Sequence, residues 1–340
     1  MTQSYENLSD IKHVIETQQF KNEKLLKNLF FLSDEMRLLE NAGNLEKTKK
    51  LKLSKNPRSK TLVTLFYEPS TRTRLSFETA MLNLGGKVTG TESASHFSSA
   101  VKGESLFDTI KIVSGYGDIV VLRHSDDKSS KEACKYSKVP LINGGAGKEQ
   151  HPTQALLDLY TIYRELERLN DLKVGMLGDL ANGRTVRSLS YLLANVSKNS
   201  KLTFIAPKEL QMRKDIKKYL EKKNVEFKTI PNPGKLKEIS KNLDVLYVTR
   251  LQTERMDISK KEKEKLRKSY VVGEKIVKSM PEKSIIMHPL PRVTEIDKSI
   301  DSNKKAAYFR QAENGKYLRM ALLKAILEPK KTKKYIKENK

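Results

Sequence analysis

Short apolar runs alternate along this chain with longer segments in which apolar residues recur every three or four positions. Thr61 to Phe66, Ile119 to Leu122, Val174 to Leu177, Leu202 to Ala206, Asp244 to Thr249 and Ser284 to Met287 read as buried strands. Shorter strands are expected at Lys87 to Thr91, Val139 to Ile142 and Val225 to Ile230. Between them Phe77, Met81 and Leu84 share one helix face, as do Leu106, Ile110 and Val113. Further helices carry Leu156, Leu157, Leu159 and Ile162, then Leu189, Leu192 and Leu193. Gly85-Gly86 stops the first helix of the series, and Asn143 to Gly147 reads as the loop closing a first unit. Residues 1 to about 56 read as helical and mostly polar, with a stripe of Leu25, Leu26, Leu29, Phe30 and Leu32 and a Lys-rich connector to Lys60.

Strands that alternate with helices predict an α/β fold whose sheets are mainly parallel, with binding residues beyond the strands' carboxyl ends. We expect two such domains, residues 1–150 and 151–304, each a sheet flanked by helices, with an active site in the interdomain cleft. A C-terminal helix within about 305–340, patterned by Leu318 to Leu327, is expected to pack back on the first domain.

Composition narrows the class. Of 340 residues, 37% are hydrophobic and 31% charged, which suits a globular protein with a highly charged surface. No apolar run approaches the ~20 residues a membrane span needs, so no membrane partner is expected. The start of the chain lacks a signal-peptide core and carries Glu6, Asp10 and Glu16. The lone Cys134 excludes an internal disulfide and a cysteine-based zinc cluster, and makes a reducing cytoplasm the default. Five histidines without paired spacing argue against a metal. The formal charge of +25 invites a nucleic-acid reading. Much of the excess, however, lies where Lys alternates with Glu, as in Lys260 to Lys268, and in the tail Lys330 to Lys340. Such patterns form solvated faces and frayed ends, so we expect non-specific adhesion at low salt and no specific nucleic-acid partner.

The candidate chemistry centres on Tyr67 to Glu78. Its strand breaks at Pro69 into Ser70, Thr71, Arg72 and Thr73 before a helix begins. Free N–H groups at that helix start, the helix dipole and the three hydroxyls make an anion site, to which Arg72 adds a planar two-pronged donor. Arg123, Arg250 and Arg292 likewise fall just past strand ends. Gly175 to Gly178 is not a dinucleotide fingerprint, and no Walker-type Gly-Lys-Ser/Thr is present. What the chain offers instead is arginines and hydroxyls at strand ends, with the His and Gln of His151-Pro152-Thr153-Gln154. Such a set holds anions and stabilises developing negative charge without covalent catalysis.

Ser70 to Arg74, His151 to Gln154 and His288-Pro289-Leu290-Pro291-Arg292, in this order and at these separations, resemble the carbamoyltransferases from about residue 7 to 328. The aspartate branch is favoured. Pro289 stands where the ornithine branch has cysteine, and Thr249 to Gln252 with Glu254 and Arg255 is similar to an aspartate-binding loop. The resemblance implies carbamoyl transfer from carbamoyl phosphate to the amine of L-aspartate in pyrimidine biosynthesis, with neither cofactor nor metal. It implies that Ser70, Thr71, Arg72, Thr73 and Arg123 hold the phosphate, and that Thr73, Arg123 and His151 bind the carbonyl oxygen. Gln154 and the carbonyls of Leu290 and Pro291 would take the amino group, and Arg184, Arg250 and Gln252 the aspartate carboxylates. Ser98 and Lys102 match a loop that reaches a neighbouring subunit's site, which implies a homotrimer with shared active sites, and the family leaves room for regulatory chains.

Overall fold

The computed structural model describes residues 4–41, 45–55, 58–94, 103–253 and 256–340. Unit 1 comprises Met1–Leu157 and Glu313–Lys340, and unit 2 comprises Asp158–Ala312.

In unit 1 the strands are β1 (Thr61–Phe66), β2 (Lys87–Thr91), β3 (Ile119–His124) and β4 (Leu141–Ala146). They pair in parallel in the order β2-β1-β3-β4. The inner strands β1 and β3 are buried along most of their length, as strands in the middle of a parallel sheet are. The edge strand β2, with Gly90 and exposed Lys87, is largely open. Helices in chain order are α1 (Glu23–Asn41), α2 (Leu45–Leu51), α3 (Thr71–Asn83), α4 (Leu106–Val113), α5 (Ser129–Tyr136) and α6 (Pro152–Leu166), the last of which continues into unit 2 from Asp158. The stripe Leu25, Leu26, Leu29, Phe30 and Leu32 on α1 is fully buried. Each such side chain contributes roughly 1.5–3 kcal/mol.

Two expectations need correction here. The segment Asn143 to Ala146, read as a closing loop, continues β4, with Asn143 opposite Leu122 and Ala146 opposite His124. Gly144 packs so closely on this neighbour that a Cβ would lie 3.1 Å from Val121 and 3.3 Å from the Leu122 carbonyl, so the glycine serves sheet packing. The chain before α1 is not helical throughout. It makes two short 3-10 turns, and between them Val14 bridges Ile142 in parallel. The Val14 N–H donates to Leu141 at 2.9 Å, and the Val14 carbonyl accepts from Asn143 at 2.7 Å, which satisfies backbone groups on the outer edge of β4.

Unit 2 holds β5 (Lys173–Leu177), β6 (Lys201–Ile205), β7 (Glu226–Ile230), β8 (Val245–Val248) and β9 (Ile285–Met287), all parallel in the order β7-β6-β5-β8-β9. Its helices are α7 (Arg184–Val196), α8 (Lys214–Lys222), α9 (Leu236–Ser240), α10 (Lys260–Ser269) and α11 (Glu274–Ser279). Leu177, Ile205, Leu246, Val248, Tyr270, Ile286 and Tyr308 are among the buried core residues. The Lys/Glu-rich α10 has no buried residue, as a solvated face requires.

The last helices are α12 (Tyr308–Leu327) and α13 (Pro329–Asn339). From Glu313 onward they belong to unit 1. There the Arg319 guanidinium lies 4.9 Å from the Phe77 ring centroid, and buried Lys324 donates to the Lys52 carbonyl at 2.7 Å. Burial pushes the Lys324 ammonium below its usual pKa, against the pull of Glu328 one turn on.

Candidate functional site

Each sheet has one place where the connections leave in opposite directions. In unit 1 this switch point falls between β1 and β3, and in unit 2 between β5 and β8. Two crossovers that diverge open a crevice at the carboxyl ends of the strands. Arg72 and Arg123 follow the strands at the first point, and Arg184 and Arg250 those at the second.

At the first, β1 turns through Pro69 into α3, with Ser70 at the N-cap. The Ser70 side chain makes no capping bond, and the Ser70 carbonyl accepts the Arg74 N–H at 3.1 Å. The N–H groups of the first turn have no partner within the helix, so the hydroxyl and these donors can serve an anion together. Thr71 and Arg72 are exposed on that turn, whereas Thr73 is buried. Desolvation draws the Arg72 pKa down, yet a guanidinium starts high enough to keep its charge.

Arg123 is the Cα partner of Phe66, so it stands beside the strand end that feeds α3. Its guanidinium donates to the Gly144 carbonyl at 3.3 Å and lies 3.6 Å from the Glu68 carboxylate. Sequence reading missed Glu68 and Gly144 as its supports, because both contacts depend on strand pairing. The third contributor arrives after β4. Pro152 opens α6, where its missing N–H costs nothing, and His151 just before it accepts Gln154 N–H at 3.0 Å through its carbonyl. The buried His151 ring places Nε2 3.3 Å from the Thr73 hydroxyl. Gln154 is half-buried on the first turn of α6. Strand ends of β1, β3 and β4 thus supply hydroxyls, a helix start, guanidinium and imidazole to one end of a single sheet.

At the second switch point, β5 leads through Gly178 and Asp179 to Arg184, the first residue of α7. Gly178 has φ +123°, and a Cβ there would lie 2.2 Å from the Thr249 carbonyl. This close approach ties the loop after β5 to the loop after β8. Buried Asp179 accepts from the Asn182 N–H at 2.9 Å and so shapes the turn into Arg184. Thr249 donates its N–H to the Leu177 carbonyl at 2.8 Å, and exposed Arg250 follows on a small cavity walled also by Leu251, Arg267, Val293, Thr294 and Glu295. Gln252 is half-buried nearby in sequence. Ser98, Lys102, Glu254 and Arg255 lie outside the described residues.

The turn after β9 differs from the sequence picture in one respect. Arg292, the fourth strand-end arginine, grips Asp301 with both terminal nitrogens and lies 3.2 Å from the Tyr308 hydroxyl. It holds its own loop together. Leu290 has φ +52° and precedes Pro291 through a cis bond. His288 accepts the Leu290 N–H through Nδ1 at 2.8 Å and donates from Nε2 to buried Glu295 at 2.8 Å. Burial would raise the Glu295 pKa, but the bonds from His288 and backbone N–H groups outweigh it and hold the carboxyl below its usual range. Sequence reading overlooked Glu295. Its spacing of seven from His288 carries no local signal.

Among the described residues no group of three or more His, Cys, Asp or Glu could hold a metal ion, and no helix is long and apolar enough to cross a membrane.

Two family models match successive parts of the chain. Residues 12–164 match the family model for the aspartate/ornithine carbamoyltransferase carbamoyl-P binding domain, and 170–326 the model for its Asp/Orn binding domain. The chain is 48% identical over 315 residues to aspartate carbamoyltransferase 1, chloroplastic, of Pisum sativum, covering 92% of this chain and 78% of that one. It is 47% identical over 319 residues to the aspartate carbamoyltransferase catalytic subunit of Methanocaldococcus jannaschii, covering 94% and 98%. The aspartate transcarbamoylase of Trypanosoma cruzi, solved with N-(phosphonacetyl)-L-aspartic acid, superposes with a TM-score of 0.83 at 34% identity, covering 93% of this chain and 95% of that one.

Proposed function

The chain belongs to the aspartate/ornithine carbamoyltransferase family, and from that premise we propose how its residues divide the work of the reaction. The enzyme transfers the carbamoyl group of carbamoyl phosphate to the amine of L-aspartate, giving N-carbamoyl-L-aspartate and phosphate. Ser70, Thr71, Arg72 and the first N–H groups of α3 hold the donor's phosphate with Arg123. The Thr73 hydroxyl, Arg123 and His151 take the carbonyl oxygen. Gln154 and the carbonyls of Leu290 and Pro291 accept the amino hydrogens, and Arg184, Arg250 and Gln252 hold the two carboxylates of aspartate. The deprotonated amine forms the N–C bond. Negative charge moves onto the carbonyl oxygen and returns as the C–O bond to phosphate breaks; phosphate departs with that bond's electron pair and takes up the proton that the nitrogen sheds. Each donor aimed at that oxygen lowers the barrier by about 2.7–4 kcal/mol, because its dipole is already oriented when the charge appears.

The 3.3 Å approach of His151 to Thr73 is the observation that carries this reading. It brings two motifs, 78 positions apart, to one sheet end beside Arg123. Specificity for aspartate follows from charge. Arg184 and Arg250 attract its carboxylates and repel the second amine of ornithine.

The product is an intermediate of pyrimidine biosynthesis. We assign the enzyme to the cytoplasm as a homotrimer in which Ser98 and Lys102 complete a neighbouring subunit's site. The exposed apolar residues Leu75 and Leu82 on α3 and Phe107 and Ile112 on α4, with Tyr116 beyond, support self-association through unit 1. The lone Cys134 supports a reducing compartment. Product formation from carbamoyl phosphate with aspartate, and separately with ornithine, tests the acceptor assignment. Carbamoyl-aspartate is expected, and preferred carbamoylation of ornithine overturns the division of roles.

A further inference from the structure

A buried line of hydrogen bonds inside unit 2 runs from α6 to the turn after β9. Asp158 on α6 is fully buried, and its two oxygens accept from different donors, the Tyr247 hydroxyl at 2.8 Å and the Gln311 side-chain amide at 2.6 Å. A carboxylate accepting both has no proton to offer, so it dictates which way the Gln311 amide lies. The NH2 group faces Asp158, and Oε1 is left to accept the His288 N–H at 2.8 Å. His288 passes the constraint on. Its Nδ1 accepts the Leu290 N–H at 2.8 Å, which places the neutral ring's proton on Nε2, where it meets Glu295 at 2.8 Å. The other Glu295 oxygen accepts the N–H groups of Val293 at 3.2 Å and Thr294 at 3.0 Å. Leu290 is thereby held at φ +52°, a conformation uncommon for a branched side chain. At the opposite end, the Tyr247 hydroxyl is also hydrogen-bonded by Thr185, which adjoins Arg184. A carboxylate is costly to bury, and apolar side chains could pack the same space. What a carboxylate adds is direction.

The geometry points to Gln311 as a positioning residue for carbamoyl transfer, anchored by Asp158 and acting through His288 on the direction of the Leu290 and Pro291 carbonyls. This rests on the reading that those carbonyls hold the donor's amino group. None of the three side chains touches substrate on this account.

The test compares carbamoyl phosphate with acetyl phosphate, which carries a methyl group in place of the amino group. Wild type is expected to bind carbamoyl phosphate the more tightly. In Gln311→Leu, kcat is expected to fall between about tenfold and about a hundredfold, as a misplacement near 1 Å produces. The preference over acetyl phosphate shrinks with it, while inhibition by inorganic phosphate is retained. Gln311→Glu, close in shape, sets oxygen against Asp158 in place of a donor and carries the same expectations should the leucine variant not fold. Equal binding of the two donors by wild type overturns the role given to the carbonyls. A wild-type preference that both variants retain, with kcat unchanged, overturns the positioning role and leaves the site standing. Loss of phosphate inhibition together with donor preference assigns Gln311 to fold maintenance and also overturns it.

Discussion

His151 Nε2 stands 3.3 Å from the Thr73 hydroxyl, although the two residues are 78 positions apart in the chain. Both are buried, so neither group can turn away to bulk water without cost. In the division of roles proposed above, both groups serve the carbonyl oxygen as charge builds on it. Removing either, as in His151→Ala or Thr73→Val, should lower kcat about 10²–10³-fold while phosphate still binds. The losses should not multiply in the double variant, because residues in contact couple. Steady-state kinetics on the three folded proteins check this, and fully multiplicative losses would show that the two act apart.

Arg72 lies on the exposed first turn of α3, and the proposed division of roles gives it the departing phosphate. Arg72→Ala should cost about 10²–10³ in rate. Arg72→Lys should not restore it, because an ammonium supplies a point charge without the planar fork that matches two phosphate oxygens. Activity of the lysine variant close to wild type would remove Arg72 from this role.

Gly178 offers a test of how the acceptor loops are held. Its φ of +123° and the 2.2 Å at which a Cβ would stand from the Thr249 carbonyl mean that Gly178→Ala must displace the backbone ahead of Arg250. Strain of this kind costs about 1–3 kcal/mol. Urea unfolding should show that loss, and the KM for aspartate should rise more than that for carbamoyl phosphate. Unchanged aspartate saturation would separate Gly178 from the site.

Acid should loosen the turn after β9. The Glu295 carboxyl is buried, which alone would raise its pKa, but His288 and backbone N–H groups hold it lower in the folded chain. A depressed carboxylate stabilises the fold above its unfolded value of about 4.3, and that contribution disappears as pH falls through the lower folded value. The melting temperature should therefore drop more steeply with acid below about pH 4.3 in wild type than in Glu295→Gln. Parallel melting profiles would show that Glu295 does not titrate with folding.

Shared sites can be tested by mixing subunits. Lys102→Ala and Arg72→Ala chains, each inactive alone, should regain activity when dissociated and reassembled together, because some sites then draw both intact residues from different subunits. Mixed trimers confirmed by mass but lacking activity would mean that each chain builds its own site.

Much of this protein was legible in its sequence because the signals were local. Apolar runs such as Thr61 to Phe66 mark buried strands. Pro69 followed by hydroxyls marks a helix start with free donors, and a proline after His151 opens another helix. The tertiary structure alone decided which ends meet. Strand order placed Arg123 beside Phe66 and set the switch points, and no residue pattern within either segment encodes that pairing. It continued β4 through Asn143 to Ala146 because β3 supplied the ladder partners. It diverted Arg292 to Asp301 and Tyr308, although the residue follows a strand end like the site arginines. And it joined Asp158 to Gln311 across 153 positions. Helix and strand follow from forces between near neighbours. The partner of a buried charge is chosen by packing between distant segments, where an unpaired group is too costly to leave.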